Sequence, residues 1–274
     1  NDMDASSFHG RTLAEYRLLK AMALDKNYVN VSSDSLAKPA YQFFRKYGPR
    51  EKEMMSLYYL GVANYNAGDY SEAILLLEEV TDLATRQGNL FYVALSHNLN
   101  SYAFIRTYCF SEAVKSAELS VDAFKAIPDT FHVQRTKVQL ADAYHATKKF
   151  EKALDIYQDL IRTCQTDTVI MRRVLVHCAY SMYLAHPERA DSSMRYYERA
   201  INDYRASLGI VEAAHYGEVA AMTGNSQLAH QIVNQLKASG KRQDQRAYLE
   251  YKVLVKENKP WEAIAANEEV RDNG

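Results

Sequence analysis

Three groups of residues have types and spacings that could do chemistry. Asp142 and His145 lie three apart, so on a helix they share a face and would make a base with its orienting carboxylate. A polar pair lining a binding groove gives the same pattern. His97 and His177 each lie sixteen residues ahead of a recurring landmark, Ala113 and Ser193, and that regularity marks a packing slot rather than a metal or catalytic site. The cysteines are three, Cys109, Cys164 and Cys178, too few and too irregular for a disulfide framework or a zinc site. Cys164 and Cys178 could still fall on neighbouring helices. No GxSxG, HExxH, GxGxxG or GxxxxGK[ST] occurs. The expectation is a chain with no catalytic residues, no cofactor and no metal: not an enzyme.

The elements that would position such residues show themselves as a repeat. Tyrosine is 21 of 274 residues, enough to prompt a search for self-similarity. Gly68-Asp69-Tyr70-Ser71-Glu72-Ala73, Tyr108-Cys109-Phe110-Ser111-Glu112-Ala113 and Lys148-Lys149-Phe150-Glu151-Lys152-Ala153 align, and a further equal step reaches Ser193. Ala229 and Ala263 follow at shorter steps. Three residues before the landmark stand Tyr70, Phe110 and Phe150; four after it stand Leu77, Ala117, Tyr157, Tyr197 and Val233. These offsets lie on one helix stripe. Twelve residues before the landmark stand the small Gly61, Ser101, Ala141, Ser181 and Gly217, each preceded by Leu60, Asn100, Leu140, Tyr180 or Tyr216. A small residue lets two helices approach and a large neighbour fills the remaining gap; Asn100 is the exception. Gly68-Asp69 and Gly224-Asn225 read as turns, and Asp69 with Glu72 has capping-box spacing.

Composition agrees. Gly is 10 and Pro is 5 of 274, roughly half the usual share, which favours long helices over a sandwich or barrel. Lys plus Arg is 33 against 34 Asp plus Glu, a net charge of -1, so nucleic acid is not an expected partner of this region. No apolar stretch is long enough to span a bilayer; a lipid anchor or transmembrane segment would lie outside the region. The opening Asn1-Asp2-Met3-Asp4 reads as a processed end.

The large–small pair, the Gly-Asp-aromatic turn and the alanine-centred second helix resemble the tetratricopeptide repeat. The likeness is clearest in Leu60-Gly61…Gly68-Asp69-Tyr70…Ala73 and in Leu140-Ala141…Tyr144…Phe150…Ala153. It implies an all-α fold, a right-handed α-α superhelix of about seven helical hairpins. Residues 1–274 then form one solenoid: a degenerate N-terminal hairpin cap over 1–50, with helices near 11–27 and 33–47; long 40-residue repeats over 51–208; and shorter repeats with a C-terminal cap over 209–274. Pro260-Trp261-Glu262-Ala263 opens the last helix. Tyr144, Tyr157, Tyr180, Tyr197 and Tyr216 are expected in the core. The order Ala21-Met22-Ala23-Leu24-Asp25-Lys26-Asn27-Tyr28, Ser33-Asp34-Ser35-Leu36, Ala40-Tyr41-Gln42-Phe43-Phe44 and Tyr58-Tyr59-Leu60-Gly61 further resembles tetratricopeptide proteins of Bacteroidetes, commonly of the cell envelope.

In that family the first helix of each repeat lines the concave side and ligands meet positions off the packing stripe. Carried over, these are Tyr58, Val62 and Tyr65, then Asn98, Tyr102 and Arg106, then Arg135, Asp142 and His145. Tyr58 and Val62 occupy the places of the Lys and Asn with which chaperone-binding members clamp a peptide carboxylate, so that clamp is absent. An extended or helical peptide with apolar anchors fits better. The other reading is that the chain's own helices or a tail fill the face. The resemblance implies a protein- or peptide-binding scaffold or sensor of a bacterial envelope regulator. Its alternative is the peptide-pheromone receptor domain of a cytosolic transcriptional regulator.

Overall fold

The structure is a computed structural model that describes residues 7–27 and 29–271. The Asn1-Asp2-Met3-Asp4 opening and Tyr28 lie outside the described residues. Among these there are fourteen α-helices and no strand. They are α1 Gly10–Lys26, α2 Ala37–Tyr47, α3 Arg50–Ala67, α4 Tyr70–Arg86, α5 Leu90–Arg106, α6 Phe110–Lys125 and α7 Thr130–Ala146. There follow α8 Phe150–Thr163, α9 Thr168–Ala185, α10 Ala190–Asn202, α11 Ile210–Met222, α12 Ser226–Ser239, α13 Gln243–Lys256 and α14 Pro260–Arg271. The chain divides into two compact units between Thr147 and Lys148.

In the first unit each helix packs on its neighbour in sequence, and α1 meets α3, α3 meets α5 and α5 meets α7. That is the contact pattern of stacked helical hairpins whose first helices also touch. The second unit repeats it: neighbours pack from α8 to α14, and α9 meets α11 as α11 meets α13.

The landmark residues explain why. Ala73, Ala113, Ala153, Ser193, Ala229 and Ala263 are all buried. At Ser193 the extra hydroxyl is accommodated because its Oγ donates to the Ala179 carbonyl of α9 at 2.6 Å. Opposite them, Gly61 brings α3 against α4 so closely that a Cβ there would lie 3.1 Å from Leu77. Gly217 is tighter still, with Leu249 Cδ2 of α13 at 2.6 Å from a Cβ and Ile232 of α12 at 3.3 Å.

The turns obey the repeat as well. The residue five before the landmark is left-handed at Gly68 (φ 87°), Tyr108 (60°), Lys148 (59°), Gly224 (81°) and Asn258 (59°). The Asp69 carboxylate then accepts from the Glu72 amide at 3.2 Å, and Asn225 accepts from the Leu228 amide at 3.2 Å, capping α4 and α12. The turn ahead of Ser193 departs: Pro187–Arg189 form a 3-10 turn there, as the missing aromatic at Ala190 foreshadows.

Two expectations need correction. The second helix of the first pair begins at Ala37 rather than near 33. Ser33 Oγ accepts from the Ser35 amide at 3.3 Å and Asp34 pairs with Lys38 at 3.1 Å, so short polar side chains hold a turn where a helix was expected. Of the five core tyrosines, Tyr144, Tyr157 and Tyr197 are buried, but Tyr180 and Tyr216 are only half-buried. The cysteines are free, Cys109 exposed and Cys164 and Cys178 buried; burial pushes the Cys178 thiol up to about 12.

Candidate peptide-binding groove

Because α3 meets α5 and α5 meets α7, the first helices of unit 1 share a face. On it Tyr65 and Tyr102 come together, ring centroids 6.5 Å apart and edge to face, with Tyr70 5.4 Å from Tyr65 on the other side. Both are half-buried, so each presents part of a ring. Asn98, one turn before Tyr102 on α5, is half-buried, yet its Oδ1 is shut away from solvent with no hydrogen-bond donor. Arg106 is exposed in the last turn of α5. The Arg135 guanidinium lies 3.7 Å from the centroid of the Phe131 ring, a stacked cation on a half-exposed aromatic. Asp142 and His145 on α7 are half-buried and each already interacts within the chain.

Two expected groove residues are placed differently. Tyr58 is buried, 8% exposed, edge-on to Tyr59 at 5.2 Å and to Tyr92 of α5 at 5.5 Å. Burial holds its hydroxyl far above the usual phenol range. It is a core residue between first helices, because the residue facing it on the next repeat is another aromatic. Val62 is half-buried and lines a cavity of about 20 Å³ with Asn66, beneath the α1–α2 connection. Asn66 Nδ2 donates to the Val31 carbonyl of that connection at 3.2 Å. The chain's own backbone thus covers this end of the face.

His97 and His177 occupy the same place on α5 and α9. Both are half-buried; burial lowers the His97 pKa, and His177 lies edge-on to Tyr157 at 6.3 Å. Among the described residues no group of three or more His, Cys, Asp or Glu side chains could hold a metal ion. Glu118, which the repeat would leave as an inert outward residue, accepts from the Tyr144 hydroxyl at 2.6 Å, and burial together with that carboxylate pushes Tyr144 up to about 12.

Unit 2 holds a cluster the sequence reading missed. Glu218 of α11 is 3% exposed, and its Oε1 accepts from the Tyr183 hydroxyl at 3.3 Å and the Tyr248 hydroxyl at 3.4 Å. Lys252 Nζ lies 3.3 Å from the same oxygen. Tyr180 and His215 stack beside it, centroids 3.5 Å apart. Burial, then the Glu218 charge, pushes Tyr183 up to about 12. The signal was available: Glu218 and Lys252 stand eleven residues before Ala229 and Ala263, as Val62, Tyr102 and Asp142 do before their own landmarks.

Stacked hairpins with small residues at the helix contacts define a helical-repeat protein. The tetratricopeptide repeat family matches residues 55–83 and 137–164, and those two segments are similar to tetratricopeptide repeats. Among solved structures, NprR in complex with its cognate peptide NprX is 13% identical, with 96% of this chain and 79% of that one covered at a TM-score of 0.64. The apo form of the quorum sensor NprR from B. thuringiensis is 12% identical, with 92% and 70% covered at a TM-score of 0.67. At these identities the likeness is one of fold. No curated protein sequence matches the chain.

Proposed function

We propose that this chain is a non-catalytic peptide-binding module whose recognition surface is the first-helix face of unit 1. The observation that carries the reading is the half-exposed pair Tyr65 and Tyr102, edge to face across α3 and α5, with the half-buried Asn98 one turn before Tyr102. Rigid rings supply contact area at small entropic cost, and the Asn98 amide group beside them would hydrogen-bond a peptide backbone. Arg106 and Arg135 flank it and would favour a peptide with an acidic residue or a free carboxylate. Asp142 and His145 would lie at its α7 side. Val62 marks where the α1–α2 connection closes the face.

A role as a receptor for a small signalling peptide is favoured by one observation: the fold likeness to NprR extends over 96% of this chain, and NprR is itself a quorum sensor with a cognate peptide. The setting in a bacterial envelope regulator rests on the resemblance over residues 16–80. The two settings share the same groove. The test is selection of a random displayed peptide library on the full chain, followed by calorimetry. Wild type should bind selected peptides, and Asn98→Leu should weaken them at least ~10-fold, about 1.4 kcal/mol. Peptides that bind Asn98→Leu and wild type alike would overturn the reading.

A further inference from the structure

The α1–α2 connection is ten residues long, 27–36, where two to four join the other helices as far as α7. A hairpin needs only a short turn, and every further residue costs conformational entropy to order. The surplus is laid across the first-helix face at α3. Residues 29–33 carry neither helix nor strand. Val29, Val31 and Ser33 line the cavity of about 20 Å³ over Val62 and Asn66, and the residues between them, Asn30 and Ser32, are exposed. That alternation is the period of an extended chain.

The chain holds this segment as a groove holds an extended ligand. Asn66, in the last turn of α3, donates from Nδ2 to the Val31 carbonyl at 3.2 Å. A side-chain amide on a main-chain carbonyl grips backbone, and alternate side chains settle on the surface beneath. Asn66 and Val62 stand seven and eleven residues before Ala73, as Arg106 and Tyr102 do before Ala113. The segment therefore covers on α3 the positions that α5 leaves exposed at Arg106 and half-exposed at Tyr102. The hold is light. Among the described residues, two hydrogen bonds fix 29–32: the one from Asn66, and Val29 N–H to the Leu24 carbonyl at 2.9 Å. Val29 is 49% exposed, and the cavity leaves the underside incompletely packed. Few buried contacts and exposed backbone are the marks of a segment that opens locally.

We infer that residues 29–32 are a built-in competitor for the peptide groove: the chain lays its own extended backbone over Val62 and Asn66, and a peptide long enough to reach them displaces it. The inference rests on the proposed groove and adds its regulation and the class of ligand for this end. The occupant shows what the end takes: an extended backbone that offers a carbonyl to Asn66 and alternate β-branched side chains to the surface formed by Tyr59 and Val62. A peptide that stops at Tyr65 and Tyr102 does not meet the strap. A strap seated about nine-tenths of the time lowers the apparent affinity of a longer peptide ~10-fold.

The test selects peptides from a displayed library on the full chain carrying Val29→Gly and Val31→Gly. These changes strip the strap of its two apolar side chains and touch no helix. Each peptide is then titrated by calorimetry into that variant, into wild type, and into wild type carrying Tyr65→Ala and Tyr102→Ala. The glycine variant should bind at least ~10-fold tighter than wild type, a gain that damage to the fold does not produce. Trimming the peptide from one end should remove this difference before it removes binding. In wild type, saturating peptide should speed hydrogen exchange of the Val29 amide, because its bond to Leu24 breaks as the strap lifts. Equal affinity for the glycine variant and wild type, in peptides that still lose affinity with the tyrosine pair, would overturn the strap and leave the groove standing. A difference that no trimming removes would also overturn the strap. Peptides indifferent to the tyrosine pair, or no selected peptide, would overturn the groove reading and the strap with it.

Discussion

Eleven residues before each landmark, unit 1 has Val62, Tyr102 and Asp142 on its first helices, while unit 2 has Met182, Glu218 and Lys252. The position is the same and the chemistry is different. In unit 1, Tyr102 meets Tyr65 across two helices, and both rings are half-exposed. In unit 2, Glu218 is buried and already gathers Tyr183, Tyr248 and Lys252 around one oxygen. A charge taken out of water is costly unless it is paired and hydrogen-bonded, so the second face is organised around its own carboxylate. The first face carries the half-exposed rings of Tyr65 and Tyr102, with Asp142 and His145 interacting within the chain at its α7 side. Repeat position therefore says which way a side chain points; residue type decides whether it is used inside the chain or outside it.

The sharpest contrast between the units is in helix contact. An added Cβ at Gly217 would lie 2.6 Å from Leu249 Cδ2 and 3.3 Å from Ile232 Cγ2, whereas at Gly61 the nearest atoms, Leu77 Cδ2 and Cγ, stand at 3.1 Å and the Ala73 carbonyl oxygen at 3.8 Å. Gly217→Leu should cost about 3 kcal/mol or more, and Gly61→Leu about 1–3 kcal/mol, by chemical denaturation. The alanine variants sharpen this. Gly217→Ala should still destabilise, while Gly61→Ala should come out near neutral because ~1 kcal/mol of helix propensity offsets the crowding. An equal cost at both sites would break the comparison.

A smaller effect is expected in the turns. Tyr108 is 80% exposed and left-handed at the place where unit 2 has Gly224. Relief of ~1–2 kcal/mol of backbone strain, less ~0.5–1 kcal/mol of added unfolded-chain freedom, makes Tyr108→Gly stabilising by about 0.5–1 kcal/mol. Gly224→Ala should destabilise by about 1 kcal/mol for the converse reason. A thermal midpoint that falls for Tyr108→Gly would contradict the turn assignment.

The smallest effect concerns pH. Burial holds the His97 pKa below the 6.5 of the unfolded chain, so the unfolded state takes up the proton first. The contribution of this residue is full above 6.5 and is lost as pH falls below that value toward the folded pKa. His97→Leu, which copies Leu57, should flatten that part of the stability–pH curve. An unchanged slope would show that His97 stays solvated.

Much of this was legible in the chain. The repeat could be read because Ala73, Ala113 and Ala153 must be small to seat one helix on the next, and packing of that kind leaves a fixed period. The left-handed turn at Gly68 was legible for the same reason, but Tyr108 and Lys148 hide the same conformation behind side chains that rarely adopt it. Tyr58 was misplaced because its environment depends on Tyr92, a residue of the next repeat whose reach no local pattern gives. The Glu218 cluster joins α9, α11 and α13, so it exists only after stacking; extending the groove positions past the third repeat would have found Glu218 and Lys252. Asn100 was visible as the exception among large residues, and it is buried like them.

The central claim is that unit 1, not unit 2, presents the recognition face. The direct measurement is calorimetric titration of a library-selected peptide into wild type, Tyr65→Ala with Tyr102→Ala, and Tyr183→Phe with Tyr248→Phe. The account predicts a loss of at least ~30-fold, about 2 kcal/mol, for the unit 1 pair, and wild-type affinity for the unit 2 pair. Undiminished affinity in the unit 1 pair, with the loss in the unit 2 pair instead, would contradict it and move recognition to the face around Glu218.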